Sequence, residues 1–314
     1  MKVNHLVTGG AGFIGSNLVR HLAGQGVTVR VLDNLSSGHL DNLAGLEASV
    51  DFIQGDLRDT AAVRAAMRGI RHVVHVGALA SVQASVDDPA TTHDVNATGT
   101  LNVLLAAREA GAEHVVFSSS ASVYGDSPEM PKREDMCPEP LSGYALSKLV
   151  GEHYGRIFHD LYGLPVFSLR YFNVFGPRQD PASHYAAVIP LFMRAYAAGQ
   201  QPIIYGDGEQ TRDFTFVTDI VAANLACLTA PPGAAGGVFN VAYGDRVSIN
   251  DLARQIAALA DRPFAPTYEP PRVGDIRESQ ADSSLARRVL GWTPQHTFNE
   301  GLAATWDWFK DRFR

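Results

Sequence analysis

Short apolar runs and longer amphipathic segments alternate along the first half of the chain. Runs such as 72–76 lack the strict in–out alternation of a half-exposed strand and are typical of parallel strands covered on both faces. Candidate strands fall at 3–7, 28–32, 51–54, 72–76, 114–118 and 165–170, and candidate helices at 13–25, 59–68, 95–110 and 144–163. This order predicts the α/β class, with a Rossmann-type doubly wound parallel sheet.

The pattern changes after residue 174, where Gly, Pro and Gln separate shorter elements. Such a segment is typical of a smaller, loop-rich lobe that closes over a ligand. We therefore expect a Rossmann domain over 1–173, with some later segments returning to it. The remainder, 174–314, is expected to form mainly a C-terminal substrate-binding lobe.

Composition narrows the class of partner. The hydrophobic content of 46% is ordinary for a globular enzyme, and the formal net charge of −7 argues against nucleic acid or an anionic membrane. The two cysteines, Cys137 and Cys227, are far apart in the sequence. The chain shows no leader pattern and no apolar run of the roughly 20 residues that cross a membrane. These features predict a cytoplasmic protein.

The eleven histidines prompt a search for a metal site. His72 and His75 are three residues apart on a predicted strand and should point to opposite faces. His153 and His159 are six residues apart on one predicted helix. Neither pair is expected to chelate an ion, so the sequence predicts no metal.

A glycine-rich segment, Thr8 to Gly15, joins the first strand to the first helix. Its G-x-x-G-x-x-G spacing is a variant of the dinucleotide fingerprint. Gly9 permits a tight turn, Gly12 lets a pyrophosphate approach, and Gly15 lets the helix pack closely. Phe13 and Ile14 open the helix, whose first amides favour phosphate. The segment therefore predicts a dinucleotide site.

An acidic residue follows at the expected distance. Asp33 ends the second strand, where a carboxylate can accept hydrogen bonds from the adenosine ribose and would repel a 2′-phosphate. The cofactor is therefore expected to be NAD rather than NADP, and the alternative is a turn-forming Asp before Asn34. Asp56 and Leu57, after the third strand, are expected beside the adenine ring, although Asp56 could instead cap a helix.

The segment Y-x-x-x-K places Tyr144 and Lys148 on one face of a predicted helix. A tyrosine acting as a base at neutral pH needs its pKa lowered by about three units, which a lysine ammonium and a cationic nicotinamide could supply. The alternative is a core tyrosine. Against it, the serine-rich segment 118–125 ends the fifth predicted strand, at the edge of the sheet where ligands bind in such folds.

Together these motifs resemble the extended short-chain dehydrogenase/reductases, and more narrowly the UDP-hexose 4-epimerases. The resemblance spans nearly the whole chain, through segments 8–15, 117–125, 144–148, 170–173, 212–214 and 272–275. It implies a resident NAD and inversion at C4 of a UDP-sugar through a 4-keto intermediate. It also implies that Ser120, Tyr144 and Lys148 are catalytic, with Ser120 bonding the sugar O4.

The resemblance assigns further contacts. Beside the glycine loop, Asp33, Asn34, Asp56 and Leu57, the cofactor is expected to contact Ala78, Asn96, Ser118, Tyr144, Lys148 and Tyr171. The substrate is expected to contact Ser120, Tyr144, Asn173, Val188, Tyr205, Arg212, Arg272, Asp275 and Ser279. A guanidinium can clamp a diphosphate. Alternatively, Arg212 could form a surface ion pair with Asp213, and Arg272 could be a solvated loop charge.

Related activities differ from this chain at a few positions. In the 4,6-dehydratases that it resembles, an Asp–Glu pair follows the catalytic hydroxyl, where this chain has Ala121 and Ser122. The UDP-glucuronate decarboxylases need an acid near Ala121, and the UDP-glucuronate 4-epimerases tend to have Thr in place of Asn173. A non-catalytic NAD(P) sensor is the alternative from another class, and the Tyr144–Lys148 pair argues against it.

The size of the sugar is expected to depend on Ser279. In the epimerases that the chain resembles, a tyrosine at this position excludes an N-acetyl group and a small residue admits it. The run 185–190 also resembles epimerases that accept N-acetylated hexosamines. We therefore expect UDP-GlcNAc and UDP-GalNAc as substrates, with UDP-Glc and UDP-Gal also accepted.

A homodimer is expected from the wide apolar stripes of the predicted helices 95–110 and 144–163. Packing into the chain's own core explains these stripes nearly as well. The sequence therefore favours a dimer without deciding between the two.

Overall fold

A single parallel sheet of seven strands organises the chain. The computed structural model describes residues 3–182, 186–271 and 277–312. The strands are β1 His5–Thr8, β2 Val29–Asp33, β3 Val50–Gln54, β4 His72–His75, β5 His114–Ser120, β6 Val166–Tyr171, β7 Val174–Phe175, β8 Ile203–Tyr205, β9 Thr211–Arg212, β10 Thr215–Phe216, β11 Val238–Val241, β12 Val247–Ser248 and β13 Thr267–Glu269. The main sheet has the order β11-β6-β5-β4-β1-β2-β3, and all its neighbours pair in parallel. The predicted doubly wound sheet is confirmed.

Helices cover both faces of this sheet. They are α1 Phe13–Gly24, α2 Thr60–Met67, α3 Val82–Asp87, α4 Pro89–His93, α5 Gly99–Ala110, α6 Gly143–Tyr162, α7 Val188–Ala197, α8 Val217–Cys227, α9 Ile249–Leu259, α10 Ser284–Leu290 and α11 Phe298–Phe309. One apolar core joins α1 and α8 to Val7, Val74 and Val116, and the other joins α2, α5 and α6 to the alternate side chains of the same strands. The central strands β1, β4 and β5 are buried on two sides, which explains why their middle residues are apolar.

One predicted helix start and one predicted helix cap differ from the structure. The predicted helix 95–110 begins with a π-helical turn, Asp94–Thr98, before α5 continues it. The residue that caps α2 is Asp59, whose carboxylate accepts hydrogen bonds from the backbone amides of Ala61 and Ala62. The alternative in which Asp56 caps this helix is therefore wrong.

The second lobe has its own apolar core, in which α7, α9 and α11 pack around aromatic residues such as Phe175 and Trp306. Short two-stranded sheets pair β7 with β10, β8 with β13 and β9 with β12. Between these pieces, α8 and β11 return to the main sheet, where β11 pairs with β6. The two lobes are therefore interleaved along the sequence.

The first residues of three strands form a row of imidazoles. His5, His72 and His114 occupy one register position in β1, β4 and β5. His75 lies on the opposite face, hydrogen-bonded to Thr8 and Thr100, as the spacing of His72 and His75 predicts. Burial lowers the pKa of His5 to about 4 and also lowers the pKa values of His72 and His114. The row is therefore uncharged at neutral pH.

Within the described ranges, no helix is both long enough and apolar enough to cross a membrane.

Candidate active site

The glycine loop forms a cradle that has no room for side chains. Gly9 has a φ of +67°, and a Cβ added to it would lie 2.7 Å from the backbone of Gly77. A Cβ on Gly15 would lie 2.1 Å from the carbonyl oxygen of Gly9. Helix α1 begins at Phe13, and the preceding Gly12 has no side chain to cap its first amides. These amides and the positive end of the helix suit a pyrophosphate.

Asp33 fastens this loop to the end of β2. Its carboxylate is buried and accepts hydrogen bonds from the backbone amides of Ala11 (2.9 Å) and Leu35 (2.8 Å). A carboxylate oxygen accepts more than one hydrogen bond, so acceptor capacity remains for ribose hydroxyls. The carboxylate at the β2 end and the bare amides of α1 therefore fit a dinucleotide.

The remaining residues of the predicted cofactor site surround the point where the strand order reverses. Asn34 donates to the Asp56 carboxylate (3.0 Å), and the Arg58 guanidinium beside Asp56 holds the pKa of that carboxyl well below its usual range. The buried Leu57 lies next to Gly77. Open α/β sheets bind ligands at this point.

Asn96 lies in the π-helical turn and holds the segment that follows β4. It accepts from the amide of Leu79 (2.8 Å), and its Nδ2 donates to the carbonyl of Leu79 and to Ser147 Oγ (both 3.1 Å). Ala78, the residue before Leu79, is partly exposed at the same edge. Asn96 therefore links the cofactor edge of the sheet to the helix that carries Tyr144.

Helix α6 brings Tyr144 and Lys148 to the end of β5. Lys148 is buried, and its Nζ donates to the carbonyl of Ser118 (2.8 Å), with Ser118 Oγ at 3.5 Å. The same Nζ lies 5.9 Å from the centre of the Tyr144 ring. Ser120, at the end of β5, accepts from Ser122 Oγ (3.0 Å), and its side chain is close enough to the Tyr144 hydroxyl to lower the pKa of that group. The three predicted catalytic side chains are therefore together.

Burial shifts the pKa values of Tyr144 and Lys148 in opposite directions. Burial raises the pKa of Tyr144, and the hydrogen bond with Ser120 only partly opposes this rise. Burial also lowers the pKa of Lys148 to about 7, so its ammonium is partly neutralised at neutral pH. In the chain alone burial is the main effect on both groups, so the lowering of the Tyr144 pKa by Lys148 together with a bound, cationic nicotinamide stays a prediction.

A buried ion pair behind these residues was not predicted. Glu152 lies two helical turns beyond Tyr144 and accepts from Arg170 on β6 at 2.9 and 2.7 Å, and from the hydroxyl of Ser119. The guanidinium also covers the ring of Tyr124 (4.6 Å). The signal available in the sequence is the spacing of Tyr144, Lys148 and Glu152, four residues apart on one helical face.

A cleft of about 290 Å³ in the second lobe is lined by Asn173, Val188, Tyr205 and Arg212 together with apolar side chains, and none of the three predicted catalytic side chains is among the described residues that line it. Asn173 donates to the carbonyl of Asp213 (3.1 Å) and has a φ of +30°. Because Ser120 pairs with Tyr171 in the sheet, the Ser120 hydroxyl and Asn173 lie at the same edge. Four of the predicted substrate residues therefore share one cavity wall.

Other predicted contacts lie elsewhere. The side chain of Tyr171 is buried in the core, and its hydroxyl donates to Asn224 (2.9 Å). Ser279 is partly buried and is not among the described residues that line the cleft. Arg272, Asp275 and the beginning of the run 185–190 lie outside the described residues.

The alternative of a surface ion pair between Arg212 and Asp213 is wrong. Asp213 is fully buried, and its carboxylate accepts hydrogen bonds from the backbone amides of Gly244 and Ala281 (both 3.1 Å). Burial raises the pKa of this carboxyl to about 7. Asp213 therefore holds two backbone segments of the second lobe beside the cleft.

Comparisons with known proteins agree with this arrangement. A family model described as the NAD dependent epimerase/dehydratase family matches residues 5–242. The UDP-glucose 4-epimerase of Mycolicibacterium smegmatis is 42% identical over 98% of each chain. The structure of UDP-N-acetylglucosamine 4-epimerase from Methanobrevibacter ruminantium, in complex with UDP-N-acetylmuramic acid, has a TM-score of 0.94 and 41% identity, over 99% of this chain and 100% of that chain.

The structure of UDP-glucose 4-epimerase from Thermus thermophilus, in complex with NAD, has a TM-score of 0.89 and 38% identity, over 98% of this chain and 99% of that chain. The family match, the cradle at the end of β1 and the Tyr144–Lys148 pair all agree on the cofactor and the class of enzyme. The chain is therefore an NAD-dependent enzyme of the extended short-chain dehydrogenase/reductase type, and it belongs to the NAD-dependent epimerase/dehydratase family.

Proposed function

We propose that this enzyme inverts C4 of a UDP-hexose through a transient 4-keto sugar. The observation that carries the proposal is the contact between Ser120 and Tyr144, next to Lys148 and at the same sheet edge as Asn173. The relatives described above carry the names of UDP-sugar 4-epimerases. An alcohol at C4, held between Ser120 and Tyr144, would lose its proton to the phenolate.

The protein residues have two roles in the proposed reaction: proton transfer, and binding of the cofactor and the substrate. Ser120 and Tyr144 form the path for the O4 proton, and Lys148, one helical turn beyond Tyr144, would hold the cofactor ribose. NAD, when bound, supplies a reversible hydride acceptor and, in its oxidised form, a positive charge that favours the phenolate. Arg212 on the cleft wall suits the diphosphate, so the flat 4-keto sugar can turn about the phosphate linkage while the nucleotide stays fixed.

The residues after Ser120 support epimerisation over dehydration. Ala121 and Ser122 begin a 3₁₀ turn that follows β5 directly. Neither side chain can protonate a leaving hydroxyl or remove a proton from C5. The 4-keto sugar would therefore have reduction as its main route onward.

NMR of the sugar C4–H signal tests the proposed activity. Purified protein, with no added NAD, should convert UDP-GlcNAc, UDP-Glc or both to the C4 epimer, and Tyr144→Phe should lower kcat by about 10²–10⁴ while binding is retained. UDP-glucuronate is the third substrate to test, and turnover on it alone would favour the glucuronate epimerase alternative. No turnover on any of these sugars, with wild type and Tyr144→Phe equally inactive, would favour a sensor.

We propose further that the small side chain of Ser279 leaves room for an N-acetyl group, so that UDP-GlcNAc and UDP-GalNAc are substrates alongside UDP-Glc and UDP-Gal. Ser279→Tyr should raise the KM for UDP-GlcNAc at least about tenfold and leave UDP-Glc turnover within about twofold, since only the N-acetyl group would clash. Steady-state kinetics on both pairs provides the measurement, and Ser279→Ala is the matched control. Unchanged UDP-GlcNAc kinetics in Ser279→Tyr would contradict the proposed gate.

We also propose a cytoplasmic homodimer. Leu105 of α5 and Leu146, Ile157, Leu161 and Tyr162 of α6 are large hydrophobic residues with exposed side chains. Pairing of these two helices with the same helices of a second copy would cover them. Location in the cytoplasm is consistent with the two free cysteines.

A further inference from the structure

The edge of the sheet opposite the active site carries a cluster of metal-ligating side chains. His72 at the start of β4, His114 at the start of β5 and Glu113 just before it each offer one ligand atom, and the three atoms lie within 4.8 Å of one another. The active site lies at the carboxyl ends of these strands. The cluster therefore has no part in the chemistry proposed above.

The backbone holds the two imidazoles together. His72 pairs with His114 in the parallel register, so both side chains project from the same face of the sheet. Their ring centres are 5.4 Å apart, and the ring of His5 lies 4.7 Å from that of His72 on the other side. Glu113 and His114 are held further because both of their amides donate to the carbonyl of Arg71.

Two nitrogens in this cluster are unsatisfied. Nδ1 of His72 and Nδ1 of His114 are both buried, and neither has a hydrogen-bond partner among the described residues. Leaving a buried polar atom without a partner is unfavourable, so an unpaired nitrogen needs an explanation. His5 is different, because its Nδ1 hydrogen-bonds to Asn4 Oδ1 (2.8 Å).

We propose that His72, His114 and Glu113 form a binding site for a divalent transition-metal ion of the zinc class. Two imidazoles and one carboxylate are the ligand set that Zn²⁺ accepts, with water in a fourth position. Zinc–ligand bonds of about 2.0–2.1 Å require the ligand atoms to be closer than they are here. Small side-chain rotations would close this gap, because Glu113 is exposed and both histidines are only partly buried.

Arg71 competes with the metal for Glu113. Its guanidinium forms an ion pair with the Glu113 carboxylate, and both side chains are about half exposed. An ion that binds Glu113 must therefore displace a cation or share the carboxylate with it. This competition gives the proposal a distinctive signature, since removal of Arg71 should strengthen metal binding while removal of a ligand should weaken it.

Titration with Zn²⁺ tests the site. Untagged, chelator-treated protein should bind one Zn²⁺ in competition with a chromophoric chelator, and Co²⁺ should give the visible absorption of a four-coordinate site. His72→Gln and His114→Gln should each raise the Zn²⁺ Kd at least about tenfold. Arg71→Met should lower it. His21→Gln, which changes an exposed histidine of α1, should leave it unchanged.

Circular dichroism and the melting temperature of each variant separate loss of the site from loss of the fold. A folded wild-type protein that binds no Zn²⁺ would overturn the proposal, as would Zn²⁺ binding that is unaffected in both His→Gln variants. Epimerase turnover should be unchanged in folded His114→Gln. Failure of the proposed epimerase activity would leave the Zn²⁺ titration intact, so the two proposals fail separately.

Discussion

Lys148 is a cationic side chain in a site from which water is almost excluded. Only 4% of its surface is exposed, and its Nζ has the Ser118 carbonyl and hydroxyl as neighbours. Burial without a carboxylate partner disfavours the ammonium, and for this reason the pKa falls from 10.5 to about 7. The lysine that is predicted to act in catalysis is therefore one that the fold accommodates at a cost in stability.

A substitution at Lys148 should reveal this cost through its pH dependence. Between pH 7 and 10.5 the unfolded chain binds more protons at this lysine than the folded chain, so wild-type stability rises with pH across this window. Lys148→Met should remove that rise. The variant should be more stable than wild type at pH 6–7, lose the advantage towards pH 10, and be inactive. Denaturant unfolding at several pH values provides the measurement, and a pH-independent difference would contradict the assignment.

Residues whose roles depend on local spacing could be predicted, whereas those that depend on distant partners could not. Tyr144 and Lys148 share a helical turn, and Ser120 ends a strand, so the sequence alone placed them. The pair Glu152–Arg170 joins a helix to a later strand, and neither residue has a neighbour in sequence that reveals the contact. The proposed zinc site is similar, because His72 and His114 meet only through the strand register.

Helix α6 joins the catalytic edge to the interior of the sheet. Its inner face presents Tyr144, Lys148 and Glu152 in successive turns, and Glu152 binds Arg170 of β6 and Ser119 of β5. Ser119 lies between the two serines that contact Lys148 and Tyr144. Helix α6 and the two strands are therefore fixed to one another by a single carboxylate.

Loss of this carboxylate should be far more damaging than loss of an exposed one on the same helix. Glu152→Gln leaves the Arg170 guanidinium buried with no counter-charge, which should lower the free energy of unfolding by about 3–5 kcal/mol. Asp160→Asn breaks the exposed Arg156–Asp160 pair and should cost less than about 1 kcal/mol. Urea unfolding of the two variants makes the comparison. Equal losses would mean that the buried pair contributes no more than a surface pair.

The elements that the sequence predicted best are those with long or strongly apolar patterns. The six predicted strands lie within two residues of β1 to β6, because each is a β-branched run between breakers. The strand β11 was not predicted, since four residues after a glycine pair give little signal. The short helix α3 was missed because six residues carry little periodicity.

At the scale of the whole molecule, exposed apolar residues are concentrated on α6. Leu146 and Leu161 are 52% and 71% exposed, and with Ile157 they lie within about 60° of one another around the helix. A stripe of this kind favours the proposed homodimer over simple core packing, because these side chains do not reach the core of their own chain.

Positive charges introduced into this stripe should separate the subunits. Leu146→Arg combined with Leu161→Arg should halve the mass measured by light scattering and leave the far-ultraviolet circular dichroism unchanged. Leu40→Arg, at a residue that is also 52% exposed but lies outside α5 and α6, is the matched control. Wild-type protein with the mass of a single chain would contradict the proposed dimer.

The position of β11 has a consequence for the order in which the chain can fold during its synthesis. Ser168 of β6 pairs with Val238 of β11, so about seventy residues, including α7 and α8, are made between the two partners. Until β11 emerges, one side of β6 presents unpaired amides and carbonyls, a template for strands of other chains. A gene fragment that encodes only residues 1–173 would therefore produce an aggregation-prone sheet rather than an independent cofactor-binding domain.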